Sequence, residues 1–193
     1  AYIEARVRDD DERMWRAAEH LLHGELPEEP AERNRTVAES VFVQANGRIF
    51  AVLFWFILLG PFGAVLYRLS SLLAERDEEF APFREAAAKW RALLEWAPAR
   101  LTAMAFALTG HFDDTLPVLR RLLMSGLPDV AASNQAILRE AGAAAANIES
   151  GVEPNMDSTA VDLLFQSVMN QVTRALIVWV TILALMTIAG WAA

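Results

Sequence analysis

The chain has 193 residues, of which 54% are hydrophobic, and its mean hydropathy is positive, which favours a membrane protein over a soluble domain. Its formal net charge is −8 and no Lys/Arg-rich run is interleaved with aromatic residues, so nucleic acid is discounted as a partner. The sequence contains no cysteine, which excludes disulfides, thiolate metal sites and a cysteine nucleophile.

Residues 1–48 are predicted to form a polar helical region. The first part, Ala1 to Gly24, is charged and amphipathic, and a second helix is predicted from Pro30 to Gln44. The acidic run at 9–12 is surrounded by arginines and is interpreted as a solvated helix face. Because the chain begins at an alanine, without the features of a signal peptide, we expect that upstream sequence is missing or that the start is processed.

The strongest membrane signal is the run 49–67, nineteen uncharged residues held between two arginines. As a helix it would cover about 29 Å, close to the hydrocarbon core of roughly 30 Å. A buried core helix of a soluble protein would show a polar stripe or stop sooner, so a transmembrane helix is predicted. Gly60 and Pro61 lie in its middle and predict a kink, which membrane helices tolerate when neighbouring groups satisfy the freed carbonyls.

Two further segments are apolar enough to enter a membrane. Residues 175–193 are again nineteen uncharged residues, with tryptophans near both ends, and are predicted to form a transmembrane helix. Residues 93–110 carry Glu95, Pro98 and Arg100, so this segment is predicted to span the membrane, to re-enter it or to lie at its surface.

The remaining segments are polar and read as helical: a connection at 68–92 and a soluble region at 111–174. The predicted fold class is therefore an all-α, polytopic membrane protein with amphipathic cytoplasmic helices. The distribution of Lys and Arg places 111–174 in the cytoplasm and the C-terminus outside. If three segments span, the basic connection 68–92 faces outward, against the usual charge rule. A re-entrant or surface-lying middle segment removes this conflict but moves the N-terminal region to the other side.

Arg100 is the sharpest candidate for a functional residue. A guanidinium cannot lose its charge, so in an apolar segment it must find a carboxylate, a phosphate or backbone carbonyls. One interpretation is an arginine that binds an anion beside the proline-containing helix. The alternative is a structural clamp to Glu95, or a side chain that extends to the membrane interface.

Two weaker patterns concern metals. Asp113 and Asp114 follow His111 and would suit magnesium with a phosphate substrate, although adjacent acids are also ordinary at the start of a helix. His20 and His23 are three residues apart on a predicted helix and would need a third ligand, such as Glu19 or Glu25. The sequence contains no Gly-rich phosphate loop, nucleophile elbow or kinase motif, so no catalytic residue, metal ligand or cofactor is assigned.

Two strings carry a resemblance to a known group of proteins. The string Leu-Gly-Pro-Phe-Gly-Ala-Val-Leu-Tyr-Arg-Leu at 59–69 and the string Pro-Ala-Arg-Leu-Thr-Ala at 98–103, with the segment 41–48 upstream, closely resemble AmpE. AmpE belongs to one superfamily with CobD/CbiB, the membrane protein that attaches the aminopropanol arm in cobalamin synthesis. The resemblance covers about 37–191 and implies that N-terminal membrane helices are missing from this chain.

Departures from the synthase pattern separate the two branches. The synthase acids correspond to Gly47-Arg48, Leu73-Ala74 and Arg91-Ala92 in this chain, so three acidic sites are absent. Amide formation with nucleotide use would need such acids, and the resemblance therefore implies a protein without that catalysis. Polar residues of the shared scaffold are kept, and the expected ligand-binding residues are Arg100, Pro98, Thr102, Gly60, Pro61, Asn134 and Glu140.

The resemblance implies a multi-pass protein of the bacterial inner membrane that acts in signalling linked to β-lactamase induction and cell-wall stress. Expected partners are the lipid bilayer, an anionic small molecule, and a membrane or cytoplasmic protein. One alternative is a CobD/CbiB-like amide-forming synthase in cobalamin biosynthesis, with Asp113, Asp114, Glu140 and Glu153 as displaced acids. The other alternative is a non-catalytic membrane scaffold.

Overall fold

The computed structural model describes residues 29–74, 81–124, 129–148 and 158–190. Within these ranges the chain is helical and contains no strand, which confirms the all-α prediction. The elements are α1 (Pro30–Ala45), a π-turn (Asn46–Phe50), α2 (Ala51–Ala74), α3 (Ala81–Thr109), α4 (Phe112–Met124), α5 (Val130–Ala145) and α6 (Ser158–Ile188).

The first three elements follow one another without a loop. Pro30 stands at the start of α1, where its fixed φ suits the first turn and its missing N–H costs no hydrogen bond. At the π-turn the backbone N–H of Ala51 donates to the carbonyl of Asn46, five residues earlier, so the helix accommodates one extra residue there. Residues 32–74 together form a helical stretch long and apolar enough to cross a membrane.

A second candidate span lies in α6, over Thr159–Ile188. Only 17% of the most apolar window in the first span and 22% of that in the second is buried. The apolar side chains are instead turned outward, as at Phe62 and Ile188, which are 71% and 84% exposed. A core helix of a soluble protein would bury such a face, so the described helices are those of a helical membrane protein. The multi-pass location in an inner membrane stays a prediction.

The kink predicted in the first apolar run is confirmed. Gly60 has φ 66° and ψ −156°, in a region that strongly favours glycine, and Pro61 follows with no N–H to donate. Helix α2 then continues to Ala74. The structure thus extends the helix beyond the predicted end of the span at residue 67.

The segment 93–110 forms the second part of α3, which is one helix of 29 residues. Pro98 lies inside this helix and is buried. In the first part of α3 the Lys89 ammonium donates to the exposed Glu85 at 2.7 Å, which lowers the pKa of that carboxyl. The predicted polar connection at 68–92 thus includes the end of α2 and the start of α3.

The core lies where α1, the π-turn, α3, α5 and α6 meet. The ring of Phe106 packs edge-on against Phe42 and Phe50, with centroids 5.1 and 6.1 Å apart, and Phe50 contacts Trp179 at 6.1 Å. Such aromatic pairs add about 0.5–1.5 kcal/mol beyond the burial of their surface. These rings fix the π-turn against α3, and this contact positions the polar residues described below.

We expect Gly142→Ala to lower the unfolding temperature. A Cβ at this position would lie 2.5 Å from the ring of Phe42, which is itself held by Phe106. Overpacking of this kind costs about 1–3 kcal/mol. Thermal unfolding of the detergent-purified, full-length protein measures the effect, with Gln135→Ala on the exposed face of the same helix as a control that should change stability by less than about 0.5 kcal/mol. Equal unfolding temperatures for Gly142→Ala and wild type would contradict this packing.

Candidate functional site

Arg100 connects α3 to the start of α5. Its Nη1 donates to the backbone carbonyl of Trp96 at 2.9 Å and to Oδ1 of Asn134 at 3.0 Å, and its Nη2 donates to Oγ of Ser133 at 3.1 Å. The guanidinium carbon also lies 4.2 Å from the centre of the Trp96 ring, within the range of a cation–π contact. Four contacts from three residues therefore fix the plane of the guanidinium.

Asn134 is oriented from its other side. Its Nδ2 donates to the carbonyl of Ala92 at 2.8 Å, so its Oδ1 is directed to Arg100. Asn134 is 2% exposed, and both ends of its amide are hydrogen-bonded. Asp129 caps α5 by accepting from the N–H of Ala131 at 2.9 Å, which starts the helix four residues before Ser133. Hydrogen bonds thus link the capped start of α5, through Asn134, to Arg100.

Arg100 has more N–H groups than its observed hydrogen bonds use. A guanidinium has five N–H groups, and three are engaged by the contacts above. Within the residues that the structure describes, two N–H groups therefore remain for another acceptor. The side chain is partly exposed, so a carboxylate or phosphate oxygen could reach it. The anion-binding interpretation of Arg100 stays a prediction.

A second polar cluster lies on a different side of α3. The hydroxyl of Tyr67 donates to Oε1 of Glu95 at 2.7 Å, and Nε of Arg91 lies 3.5 Å from the same oxygen. Glu95 and Arg100 are five residues apart, so they point roughly 140° away from each other around the helix. The alternative of a clamp between Arg100 and Glu95 is wrong, because each side chain has other partners.

The π-turn comes close to this second cluster. A Cβ built on Gly47 would lie 3.5 Å from the hydroxyl of Tyr67 and 3.6 Å from Oε1 of Glu95. Nε1 of Trp55 donates to the carbonyl of Leu94 at 3.1 Å and ties α2 to the same turn of α3. Glu95 is therefore enclosed by α2, α3 and the π-turn.

The structure brings together only some of the residues predicted to bind a ligand. Arg100 and Asn134 are in contact, while Thr102 lies two residues further along α3 and so on another side of that helix. A Cβ built on Gly60 would have no atom of another described helix within 4 Å, so Arg100 does not pack against this glycine. Glu140 pairs with Arg121 in an exposed bridge between α4 and α5.

The predicted metal patterns gain no support in the described ranges. Asp113 and Asp114 are exposed in the first turn of α4, as expected of acids at a helix start. Nδ1 of His111 lies 3.2 Å from the carbonyl of Ala145. No group of three metal-ligating side chains occurs among the described residues. The pair His20 and His23, with Glu19 and Glu25, lies outside those residues, as does Glu153.

The known proteins that resemble this chain all belong to one family. The family described as CobD/Cbib protein matches residues 28–151, which is more than half of the chain. The cobalamin biosynthesis protein CobD of Chromobacterium violaceum is 43% identical over 81 residues, covering 40% of this chain and 26% of that protein. CobD of Stutzerimonas stutzeri is 44% identical over 81 residues, covering 40% and 27%.

A more distant relative matches a longer segment. The probable cobalamin biosynthesis protein CobD of Thermococcus kodakarensis is 30% identical over 114 residues, covering 56% of this chain and 39% of that protein. The matched part of this chain thus corresponds to about a quarter of the length of the first two relatives and to less than half of the third. No solved structure matches the chain.

These comparisons correct the functional expectation. The expected role in β-lactamase induction and cell-wall stress signalling is wrong, because the matched relatives are named for cobalamin biosynthesis. The broader resemblance to CobD/CbiB is confirmed, whereas the names of these relatives do not support the narrower AmpE branch. The overall similarity across residues 28–151 outweighs the absence of the three acids.

We expect Tyr67→Phe to lower the unfolding temperature of the full-length protein. The change removes the donor to Glu95 inside a site where Tyr67 is fully buried, and a hydrogen bond to a charged group contributes about 1.5–3 kcal/mol. Ser70→Ala is the matched control, because that hydroxyl on the same helix bonds only to the carbonyl of Leu66 at an exposed position. If both variants unfold at the same temperature, the contact between Tyr67 and Glu95 does not stabilise the fold.

Proposed function

Because the chain belongs to the CobD/CbiB family, we propose that it is part of a membrane-embedded synthase of cobalamin biosynthesis that forms an amide bond. The observation that carries this proposal is the arginine of the Pro-Ala-Arg-Leu-Thr-Ala string, which is held in a fixed orientation with two N–H groups left for an anion. The resemblance implies a corrinoid carboxylate and an aminopropanol-type amine as the groups that are joined.

The proposed reaction joins an amine to a carboxylate and needs an activating co-reactant, a nucleoside triphosphate. A carboxylate oxygen takes the terminal phosphoryl group as its P–O bond to the nucleoside diphosphate breaks and the diphosphate leaves. The amine nitrogen then forms the new C–N bond, and the C–O bond to the phosphate breaks. Phosphate leaves with that oxygen, and the amine loses a proton to solvent or to a base. Every reactant except the amine carries negative charge, so a fixed cation is the first requirement of the site.

Arg100 meets this requirement in a way that a lysine would not. Its guanidinium keeps one unused N–H group on Nε and one on Nη2, and it keeps its charge at any physiological pH. The contacts to Ser133, Asn134 and Trp96 hold that plane before a ligand arrives, which reduces the entropy lost on binding. We assign Arg100 to binding of a carboxylate or phosphate group, and Asn134 and Ser133 to positioning it.

The acids suggested as substitutes for the synthase acids are not part of this proposal. Asp113 and Asp114 are exposed at the start of α4, and Glu140 is engaged by Arg121. Glu95 instead lies five residues before Arg100, enclosed by α2 and the π-turn. We infer that this carboxylate serves the site by holding Tyr67 and Arg91, and through them the junction of the two helices.

We expect Arg100→Ala and Arg100→Lys to lose the proposed synthase activity. Loss of a hydrogen-bonded charge contact costs about 2–5 kcal/mol, or roughly 30-fold and more in activity. The measurement is restoration of cobalamin-dependent growth in a host that lacks its own CobD, with amide formation by the purified full-length protein as the direct assay. Arg120→Ala, on an exposed position of α4, is the control and should keep activity.

The protein level and unfolding temperature of each variant separate loss of function from loss of fold. A stable Arg100→Lys protein with wild-type activity would remove Arg100 from the anion site. If the wild-type protein itself neither restores growth nor forms an amide, the synthase proposal fails and a non-catalytic membrane scaffold becomes the better account.

A further inference from the structure

Helix α2 folds back on itself at Gly60, whose φ and ψ are not helical. In a straight helix Gly47, in the π-turn, and Tyr67 would be about 30 Å apart, and a right-angled bend at Gly60 would still leave about 22 Å between them. The hydroxyl of Tyr67 instead lies 3.5 Å from a Cβ built on Gly47. The arm before Gly60 (51–59) and the arm after it (61–74) therefore run nearly antiparallel, as a helical hairpin.

Further contacts fix this hairpin. A Cβ on Gly63 would overlap the carbonyl oxygen of Trp55, eight residues earlier, so the two arms touch near the tip. Both arms also bond to one turn of α3, where Nε1 of Trp55 donates to the carbonyl of Leu94 at 3.1 Å and the hydroxyl of Tyr67 donates to Glu95 at 2.7 Å. A straight helix would separate Trp55 from Tyr67 by about 18 Å, too far for both to reach adjacent residues.

The first arm of the hairpin runs in the same direction as α6. Trp179 of α6 contacts the ring of Phe54 at 6.5 Å. Two turns earlier on α6, Nε2 of Gln171 donates to the carbonyl of Phe106 at 2.9 Å, and the ring of Phe106 packs against Phe42 of α1. The order of contacts along α6 thus follows the order along α1 and the first arm, so both helices enter their apolar runs from the same side.

Basic residues mark that side. Arg48 and Arg174 each stand directly before an uncharged run. Tyr67 returns to the level of Gly47, and Arg68 follows it. Both ends of the first uncharged run therefore lie together. The basic segment after the hairpin then shares one side with the segment before Arg174, as the charge rule favours, whereas a spanning first run would place it on the opposite side.

The hairpin has the depth and surface of a segment that enters a bilayer halfway. Residues 51–60 rise about 15 Å, half of the roughly 30 Å hydrocarbon core. Large apolar side chains are exposed on both arms, among them Leu58, Phe62, Val65 and Leu69. This surface has the same apolar character as the outward face of α6, where Ile177 and Leu185 are also exposed.

We propose that residues 51–74 form a re-entrant hairpin, which enters the hydrocarbon core from one side, reaches about its middle and returns to the same side. Lipid acyl chains cover the exposed apolar faces of its arms. The polar cluster of Tyr67 and Glu95 then lies at the membrane surface beside Gly47, whereas a spanning helix would place Tyr67 at the opposite surface. This topology does not rest on the proposed synthase activity.

The test is cysteine labelling of the full-length protein in sealed right-side-out and inside-out membrane vesicles. The chain contains no cysteine, so single cysteines at exposed positions report their own side once any others in the full-length protein are replaced. We expect a membrane-impermeant maleimide to label Arg48→Cys and Arg68→Cys in one vesicle orientation and neither in the other. Leu73→Cys keeps both arginines and should behave in the same way, which controls for an effect of their charge on topology.

A spin label on Leu58→Cys tests what covers the hairpin. We expect frequent collisions with oxygen, which concentrates in hydrocarbon, and few with a water-soluble nickel chelate. Labelling of Arg48→Cys and Leu73→Cys from opposite sides would overturn the re-entrant topology. Frequent collisions with the chelate would show that water covers the arm, and few collisions with either reagent would show that protein covers it; each result would overturn the assignment to lipid.

Discussion

The hydrogen bonds that satisfy Arg100 organise the centre of this protein. A permanent charge in an apolar helix must be paired or hydrogen-bonded, because leaving it without partners in a low-dielectric environment costs several kcal/mol. Here neutral groups do this: Asn134 and Ser133 at the start of α5, and a carbonyl of α3 itself. Asn134 then uses its other end on Ala92, so that one amide bridges two points of α3. The charge is thus held without being neutralised, which leaves it available for an anion.

The opposite side of α3 packs against the junction of α1 and α2. Asn46 and Phe50, at the two ends of the π-turn, are both buried, and the extra residue of the π-turn rotates the residues after it around the axis relative to an uninterrupted α-helix.

Much of the fold was predictable because hydropathy and proline or glycine signals act locally. The kink at Gly60, the helix beginning at Pro30 and the long apolar helices all follow from such signals. Contacts between helices do not follow from such local signals. The sequence shows that burying Glu95 and Arg100 costs free energy, and an ion pair between the two is the simplest way to offset that cost. Their angular separation around α3 prevents this pair, so each side chain has a different partner. The sequence does not predict the π-turn that begins at Asn46, since an asparagine before a glycine also suits an ordinary turn.

The error over function has a physical cause as well. The absence of three acids does not exclude the chemistry, because the cation that holds an anionic reactant and the carboxylate that supports it can be separate parts of one site. Arg100 and Glu95 lie on different sides of α3 and are held by different neighbours, so the cation and the carboxylate are positioned independently of each other.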